Sequence, residues 1–473
     1  MAATVGFGIW IGRGQKDASS YLLGGRSLPW WAILGSIVAT ETSTATFLSV
    51  PGTTWADGGD LRFLQLALGL IVGRVVVAFV LLPQYFQGNL FTAYDVLHRR
   101  FGGRTQKTSS ILFLVTRNLG DGLRLFLTGI VLQKVAGFDL SFCIVVIGIV
   151  TIVYTFFGGM KAVVWSDCVQ FVVYVGGGIL AGVLLVDSLP DGWTDVRAFA
   201  ASENKLRMFD FTLTLRDANS FWAGIVGGAF LTLGTHGTDQ MMVQRYLSAR
   251  SQQDARRAII ASGIVVFLQF TLFLLLGIGL ACFYERFPPE VPLESKDEVF
   301  ATFIVTRLPV GVTGLTLAAV FSAAMSTLSS SLNSSASSAV HDLRLFRQSQ
   351  GDRDELLSGR IWTVVFGILQ ICIGIAASRI SQSVISDALA IAGFAAGILL
   401  GVFALGVLTR RVGESHALAG MLAGIVTLLM VRFLTPIAWP WYAVIGSLST
   451  FLAGIVGSVI IPRQPAFSVE QEP

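Results

Sequence analysis

The stretch Ala-Thr-Glu-Thr-Ser-Thr-Ala-Thr, residues 39–46, lies inside an apolar run that covers about residues 29–51. The run is long enough to cross a bilayer as one helix. Its polar centre, followed by Pro51 and Gly52, weakens that helix. Backbone groups freed at membrane depth are tolerated only where they line a cavity. Residues 39–46 therefore predict an interrupted membrane helix beside a binding site.

A second apolar run, residues 221–244, carries a similar interruption at Gly-Thr-His-Gly-Thr-Asp-Gln, residues 234–240. By our prediction it lies five membrane spans after the first. Interrupted helices at matching positions in two halves of a chain are typical of inverted-repeat transporters, whose site lies at the middle of the membrane.

The composition of the chain agrees with a membrane location. Of 473 residues, 53% are hydrophobic and 13% are charged, whereas soluble domains carry roughly 25% charged residues. Apolar runs near 20 residues recur from end to end, so we predict an all-α polytopic membrane protein. The net charge of +4 then reflects topology and not nucleic-acid binding. The four cysteines are scattered and predict neither a metal site nor a disulfide framework.

We predict a partial first helix at 1–13 and then twelve full spans, which gives about thirteen crossings. The full spans are 29–51, 62–87, 108–133, 139–157, 163–187, 221–244, 256–283, 311–340, 357–379, 385–409, 414–432 and 437–461. One set of connections holds nineteen lysines and arginines, against eleven on the opposite side. The richer side is predicted to be cytoplasmic. The N-terminus is then outside, and the C-terminus and the tail 462–473 are cytoplasmic.

The span 311–340 contains an unusual hydroxyl-rich stretch, Ser322–Ser338 (SAAMSTLSSSLNSSASS). Its hydroxyls at Ser326, Thr327, Ser330 and Ser334 recur at helical spacing and so share one face. Such a face either lines a hydrated site or packs closely on a neighbouring helix.

Five segments resemble the sodium:solute symporter family. They are Tyr21–Pro29 (YLLGGRSLP), Thr92–Gly102 (TAYDVLHRRFG), Gly158–Gln170 (GGMKAVVWSDCVQ), Asp239–Ala249 (DQMMVQRYLSA) and Ala323–Ser334 (AAMSTLSSSLNS). They occur in the family's order over roughly residues 10–410. The resemblance implies a leucine-transporter-like fold in one transmembrane domain spanning 1–473. Its parts would be two inverted five-helix repeats at 29–187 and 221–409 and two C-terminal helices within 414–461.

The resemblance also implies a main Na⁺ site between the first full span and the eighth. Hard cations bind oxygen ligands such as carbonyls, hydroxyls and carboxylates. The residues that correspond to the family's site are Ala39, Thr42, Ala323, Ser326 and Thr327. In relatives that carry sialic acid, equivalent serines and an aspartate form a second Na⁺ site; here the corresponding residues are Asp167, Ser326, Ser329 and Ser330. A structural Asp167, paired with a hydroxyl or with Lys161, is the alternative.

Relatives bind solute between the interrupted helices and neighbouring spans. The candidates in this chain are Thr40, Glu41, Ser43, Thr46, Gln65, Arg117, Asp121, Arg124, His236, Asp239 and Gln240. Arg117, Asp121 and Arg124 share one helical face. They either form a self-neutralising cluster or leave one arginine to bind a substrate carboxylate. Likewise, Asp239 and Gln240 either bind solute or cap the interrupted helix.

We therefore predict a Na⁺-coupled symporter of a small polar organic solute that works by alternating access in the cell membrane. We expect no enzymatic activity, no cofactor beyond Na⁺ as coupling ion, no nucleic-acid partner and no obligate protein partner. A proton-coupled carrier of the same fold, titrating at Glu41, Asp167 or Asp239, is one alternative. A transporter-like solute sensor is the other.

Overall fold

The computed structural model describes residues 18–88, 90–289, 293, 296–343, 352–377 and 384–460, together with Gly6 and Trp10. Apart from those two residues, the predicted partial helix 1–13 lies outside the described residues, and so does the predicted tail 462–473. In the described part of the chain all regular structure is helical, apart from one parallel bridge between Leu28 and Ala249.

The first half of the chain contains nine α-helices, counted over the described residues. They are α1 (Ala18–Leu23), α2 (Trp30–Glu41), α3 (Thr44–Trp55), α4 (Leu64–Val76), α5 (Leu82–Tyr85), α6 (Asp95–Arg100), α7 (Gly103–Ala136), α8 (Leu140–Asp187) and α9 (Trp193–Ser202). A π-helical segment, Val77–Leu81, joins α4 to α5.

The second half contains nine more within the same described ranges. They are α10 (Gly228–Gly237), α11 (Gln240–Leu247), α12 (Gln252–Arg286), α13 (Val299–Arg307), α14 (Val310–His341), α15 (Asp352–Ala377), α16 (Val384–Leu408), α17 (Glu414–Leu434) and α18 (Pro440–Ile460). Another π-helical segment, Ala223–Gly227, leads directly into α10.

Both predicted interruptions are present. The first span divides into α2 and α3, which are bent by 58° relative to each other. The second divides into α10 and α11 at Thr238 and Asp239. Pro51 does not end a helix: it lies inside α3, where the Thr53 hydroxyl donates to Val50 O (2.7 Å).

Helix α8 accounts for two predicted spans. It is 48 residues long and changes direction at Gly159, whose φ of 55° lies in the left-handed region. At 1.5 Å per residue, a helix of this length is more than twice as long as a ~30 Å hydrocarbon core is thick. The bend at Gly159 separates the segments predicted as 139–157 and 163–187.

Eight helices in the described residues are long and apolar enough to cross a membrane, or nine if α2 and α3 are counted as one span. Helix α7, which contains the predicted span 108–133, is not among them. The total of about thirteen crossings therefore stays a prediction.

The polar break between α2 and α3 lies where two apolar cores meet. Ile33 and Ile37 of α2 pack into one core, while Phe47 and Leu48 of α3 pack into the other. Helix α14 runs beside α8, and a Cβ added at Gly177 would lie 2.8 Å from the Ala319 Cβ. This close packing holds the hydroxyl-rich helix α14 against the break.

Candidate functional site

The backbone between α2 and α3 leaves the helical path for two residues. Thr42 still donates its N–H to Val38 O (3.0 Å), but the Ser43 N–H turns to Glu41 O (3.1 Å). Phe47 then donates to Ser43 O (3.1 Å), which restarts the helix. Because Ser43 donates to Glu41 O, the helical bond that Ala39 O would accept from Ser43 is not made.

Helix α14 contacts this break directly. The Thr327 hydroxyl donates to Thr40 O (2.9 Å) and, more weakly, to Ala323 O (3.4 Å) in its own helix. The five residues predicted for the main Na⁺ site, Ala39, Thr42, Ala323, Ser326 and Thr327, are all buried. The Thr42 hydroxyl accepts from Gln269 Nε2 (2.6 Å), so this side chain also ties the break to α12.

Ser326 faces Asp167 on α8. Its hydroxyl donates to Asp167 Oδ1 (2.7 Å), and Ser36 donates to Asp167 Oδ2 (2.5 Å). The Arg245 guanidinium, 1% exposed, lies on the same carboxylate at 3.3 Å and also donates to the hydroxyls of Thr40 and Ser330. The place predicted for a second Na⁺ therefore holds a buried ion pair surrounded by hydroxyls.

The other serines of α14 serve its own backbone or its neighbours. Ser329 donates to Ser326 O (3.2 Å), and Ser334 donates to Ser331 O (3.1 Å). Gln370 of α15 donates to Ser331 Oγ (3.0 Å). Beyond Ser330, these contacts favour the packing interpretation of the hydroxyl face.

A cavity of about 220 Å³ opens beside the break. Seven of the eleven predicted substrate residues line it: Thr40, Glu41, Ser43, Thr46, Arg117, Arg124 and His236. The lining also has an apolar part, with Leu66, Leu70, Leu231, Met241, Met242, Phe270 and Trp439. The cavity thus offers both polar groups and apolar contact to a solute.

Glu41, which lines this cavity and is 19% exposed, belongs to a charge cluster with Arg74 and His236. The Arg74 guanidinium of α4 donates to the Glu41 carboxylate and lies 3.3 Å from His236 Nε2. Arg74 is 0% exposed, and its Nε and Nη1 have no hydrogen-bond partner in the described structure. A charged group in such a place needs a close partner, because desolvation of an unpaired ion costs several kcal/mol.

Arg117 and Arg124 are both paired with carboxylates. Arg124 binds Asp121, which is 0% exposed, and Arg117 binds Asp239 and lies 3.9 Å from Asp121. Asp239 also caps α11 by accepting the Met241 N–H (2.8 Å). The cluster is self-neutralising, and it connects α7 to the second helix break.

Two predicted substrate residues bind backbone groups away from the cavity. Gln65 bonds Arg62 O, Asn219 O and the Asp210 N–H. Gln240 accepts the Ala93 N–H (2.7 Å) and donates to Phe91 O and Ser337 Oγ (3.4 Å each).

The sequence analysis did not single out Arg74 or Arg245. Arg74 is an arginine within a predicted apolar span, 62–87, and such a residue is a functional candidate by default. The nineteen basic residues that the sequence assigns to cytoplasmic connections include Arg245, but this residue lies on α11 and is buried. Their partners are 33 and 78 residues away, so spacing along the chain gives no signal for either pair.

Together, the two broken helices, the buried carboxylate–hydroxyl cluster and the cavity between them define a secondary active transporter. A sequence model of the sodium:solute symporter family matches residues 21–424. The chain belongs to the sodium:solute symporter family. Its function is Na⁺-coupled symport of a small organic solute, and it is a protein of the cell membrane.

Similar proteins of known function include a sodium/sialic acid symporter, SiaT, from Proteus mirabilis, 27% identical over 99% of this chain and 95% of that protein. The human sodium/iodide cotransporter is 29% identical over 91% of this chain and 68% of its own. A solved structure, described as the substrate-bound outward-open state of a Na⁺-coupled sialic acid symporter with a novel Na⁺ site, matches with a TM-score of 0.89. It is 27% identical and covers 97% of this chain and 96% of its own. The predicted leucine-transporter-like fold is confirmed.

Proposed function

We propose that this transporter binds Na⁺ where α14 meets the α2–α3 break and carries a small organic anion in the adjoining cavity. The observation that supports it best is the contact between Thr327 Oγ1 and Thr40 O (2.9 Å). Thr40 also lines the cavity. One short segment of backbone therefore adjoins both proposed sites.

The charges around the cavity favour an anionic solute. Three of the side chains that line the cavity, those of Arg117, Arg124 and Lys296, are basic, and one, that of Glu41, is acidic. Basic groups that face the cavity favour a carboxylate on the solute. The sialic acid symporters that resemble this chain carry a solute of that chemistry. The hydroxyls of Ser43 and Thr46 suit additional hydroxyl groups on the solute.

Na⁺ binding and solute binding are coupled because both ligands favour the same one of two conformations of the transporter. Na⁺ joins α2–α3 to α14 and so favours the state in which these helices touch. A solute bound in the adjoining cavity favours the same state, so each ligand increases the affinity for the other. Separating the helices weakens both sites and releases both ligands.

A second Na⁺ site at Asp167, Ser326, Ser329 and Ser330 would require a rearrangement of Arg245. The guanidinium donates to Asp167 Oδ2 and to Ser330 Oγ, which are two of the oxygens that the ion would need. We propose the site for a conformation in which Arg245 has moved away.

We further propose transport without enzymatic activity, in a lipid bilayer and without an obligate protein partner. In this proposal the two inverted repeats are 29–187 and 221–409. The lysine- and arginine-rich connections lie in the cytoplasm, so the N-terminus is outside and the C-terminus is inside.

Uptake by reconstituted protein tests the Na⁺ site. A thermal-shift screen of small carboxylic acids, including sialic acid, with and without Na⁺, first selects the solute. Thr327→Ala or Ser326→Ala should then raise the Na⁺ concentration for half-maximal uptake about tenfold, since an interaction with an ion is worth ~1.5–3 kcal/mol.

Ser334→Ala is the matched control, because the Ser334 hydroxyl serves only Ser331 O of the same helix among its described contacts. Unchanged Na⁺ dependence in both site variants would reject the assignment. Uptake that survives Na⁺ removal but stops with a protonophore would select the proton-coupled carrier. A solute that binds without being transported would select the sensor.

A further inference from the structure

A second cavity, of about 290 Å³, lies at the lysine- and arginine-rich end of the molecule, away from the transport site. It is bounded by α5, α6 and the last turns of α16. The lining residues are Gln84, Gln87, Val96, Leu97, Arg99, Arg100, Phe403, Gly406 and Val407. Nothing in the proposed transport cycle uses this cavity.

Arg99 is held at one side of the cavity by the preceding loop. Its Nη1 donates to Gln87 O (2.6 Å). Gly88, with a φ of +87°, lets the guanidinium lie against the backbone: a Cβ there would come within 2.9 Å of Nη1. The carbonyl of Gln87 has no net charge, so the guanidinium keeps its positive charge at the rim.

Arg100 is held at the other side by the end of α16. Its Nη2 donates to Thr409 O (2.7 Å), and its guanidinium carbon lies 4.8 Å from the centre of the Phe101 ring. Its stem passes Gly406, where a Cβ would meet the Arg100 Cγ at 3.5 Å. Both guanidinium groups are thus ordered before any ligand arrives, which reduces the entropy that binding costs.

Two acidic side chains close to this face, those of Glu414 and Asp95, bind backbone N–H groups. Glu414 accepts the backbone N–H groups of Arg104 (2.8 Å) and Thr105 (3.2 Å). Asp95 accepts the N–H groups of Phe91 (2.9 Å) and Thr92 (3.0 Å). Arg99 and Arg100 both line the cavity, so two guanidinium groups are available to an anionic ligand there.

The rest of the cavity is suited to the junction of a headgroup and its acyl chains. Leu97 and Phe403 form a buried apolar floor, 0% and 1% exposed. The volume lies at the lower end of the ~300–1,000 Å³ usual for ligand pockets, so it suits a headgroup and not a whole lipid. Leu408 at the end of α16 is 68% exposed and offers an apolar surface for the acyl chains.

We propose that this cavity binds the phosphate-bearing headgroup of an anionic phospholipid, with the phosphate between Arg99 and Arg100. Gln84 and Gln87 supply amide groups for headgroup hydroxyls. Basic pockets between membrane helices on the cytoplasmic side are suited to such lipids. A bound lipid would link the α5–α6 connection to α16 and so stabilise the fold at this end.

Lipid titration of the purified full chain in a nonionic detergent tests the site. The probes are dioctanoyl phosphatidylglycerol, dioctanoyl phosphatidylcholine and inorganic phosphate at equal ionic strength, and the readout is the midpoint of thermal unfolding. We expect phosphatidylglycerol to raise the midpoint at a concentration about tenfold lower than the other two, because the choline cation of phosphatidylcholine would face two arginines and inorganic phosphate has no acyl chains.

Arg99→Gln/Arg100→Gln should abolish the preference for phosphatidylglycerol. Arg410→Gln/Arg411→Gln removes the same amount of charge from exposed residues of the adjoining connection. This control variant should keep the preference for phosphatidylglycerol. Val407→Phe leaves both arginines but fills the cavity, so it should also abolish the preference. If the Arg99/Arg100 variant does not fold, Val407→Phe decides alone.

Three outcomes would overturn the proposal. An equal loss of the preference for phosphatidylglycerol in the Arg410/Arg411 control would mean that diffuse surface charge attracts the lipid. An undiminished preference in Val407→Phe would mean that the cavity is not the site. Protection by inorganic phosphate at the concentration where phosphatidylglycerol acts would mean that the ligand is a free anion and not a lipid.

Discussion

At the scale of single residues, buried arginines organise the transport site. Arg74 neutralises Glu41 beside the first helix break, and Arg245 neutralises Asp167 beside the hydroxyl-rich helix. Both arginines are at most 1% exposed. A buried pair of this kind adds little net stability, but removing one partner leaves an uncompensated charge. Single substitutions in these two pairs should therefore lower the stability of the folded protein more than substitutions elsewhere.

Arg74→Met should lower the thermal stability of the purified protein strongly, because the Glu41 carboxyl group would lose the guanidinium that compensates its desolvation. Breaking a buried pair typically costs about 3–5 kcal/mol. The measurement is the midpoint of thermal unfolding. Glu41→Gln combined with Arg74→Met should recover much of the loss, and Arg257→Met, at an exposed position, is the control. A single variant as stable as the control would contradict the pairing.

At the scale of elements, the sequence predicted both interruptions, because polar residues in an apolar run weaken a helix regardless of the tertiary structure. Both breaks lie inside the predicted stretches, the first at Thr42 and Ser43 and the second at Thr238 and Asp239. Pro51, by contrast, stays helical. The Thr54 hydroxyl donates to Leu274 O of α12 (2.7 Å) and so fixes this part of α3 against a helix more than 200 residues away. Such a contact cannot be inferred from the local pattern.

Asp342, at the end of α14, has a carboxyl group with a raised pKa. Asp342 follows the span and is 2% exposed. Its Oδ1 accepts from Thr92 Oγ1 (2.5 Å) and Gln106 Nε2 (3.0 Å), and Gln106 also donates to Asp95 (3.0 Å). Burial raises the pKa of Asp342 to about 7; the Thr92 hydrogen bond lowers it and the Asp95 charge raises it. The folded protein therefore holds a proton here that the unfolded chain releases above an ordinary pKa of 3.8.

Protein stability should consequently depend on pH through Asp342. Because the native state binds the extra proton, this group's contribution falls as the pH rises from about 4 to about 7. Around the folded-state pKa of about 7, the midpoint of thermal unfolding of the wild type should decrease as the pH rises from 6 to 8. Asp342→Asn should flatten that dependence, whereas Asp139→Asn at an exposed helix cap should not. Equal slopes in the wild type and Asp342→Asn would refute the titration.

At the scale of the whole molecule, the sequence predicted the fold class and the family, since composition, apolar runs and five ordered segments all agree. It predicted less of the site. The four predicted residues on the first broken helix, Thr40, Glu41, Ser43 and Thr46, line the cavity, because the break itself positions them. Gln65 and Gln240 do not line it, because their amide groups bind backbone groups of neighbouring connections. Whether a polar side chain faces a cavity or a carbonyl depends on tertiary packing, which a single sequence does not contain.

Membrane orientation is the remaining whole-molecule prediction. Moving the buried Arg245 out of the loop count leaves eighteen basic residues against eleven, so the predicted orientation stands. Single cysteines at Ser202 and Arg410, both exposed, lie on opposite sides in that topology. In intact cells, a membrane-impermeant maleimide should label Ser202→Cys and not Arg410→Cys, in a background with the exposed Cys372 replaced by alanine. Arg410→Cys should become reactive once the membrane is permeabilised. Labelling of Arg410→Cys alone in intact cells would invert the orientation, and labelling of both residues would require a different number of spans between them.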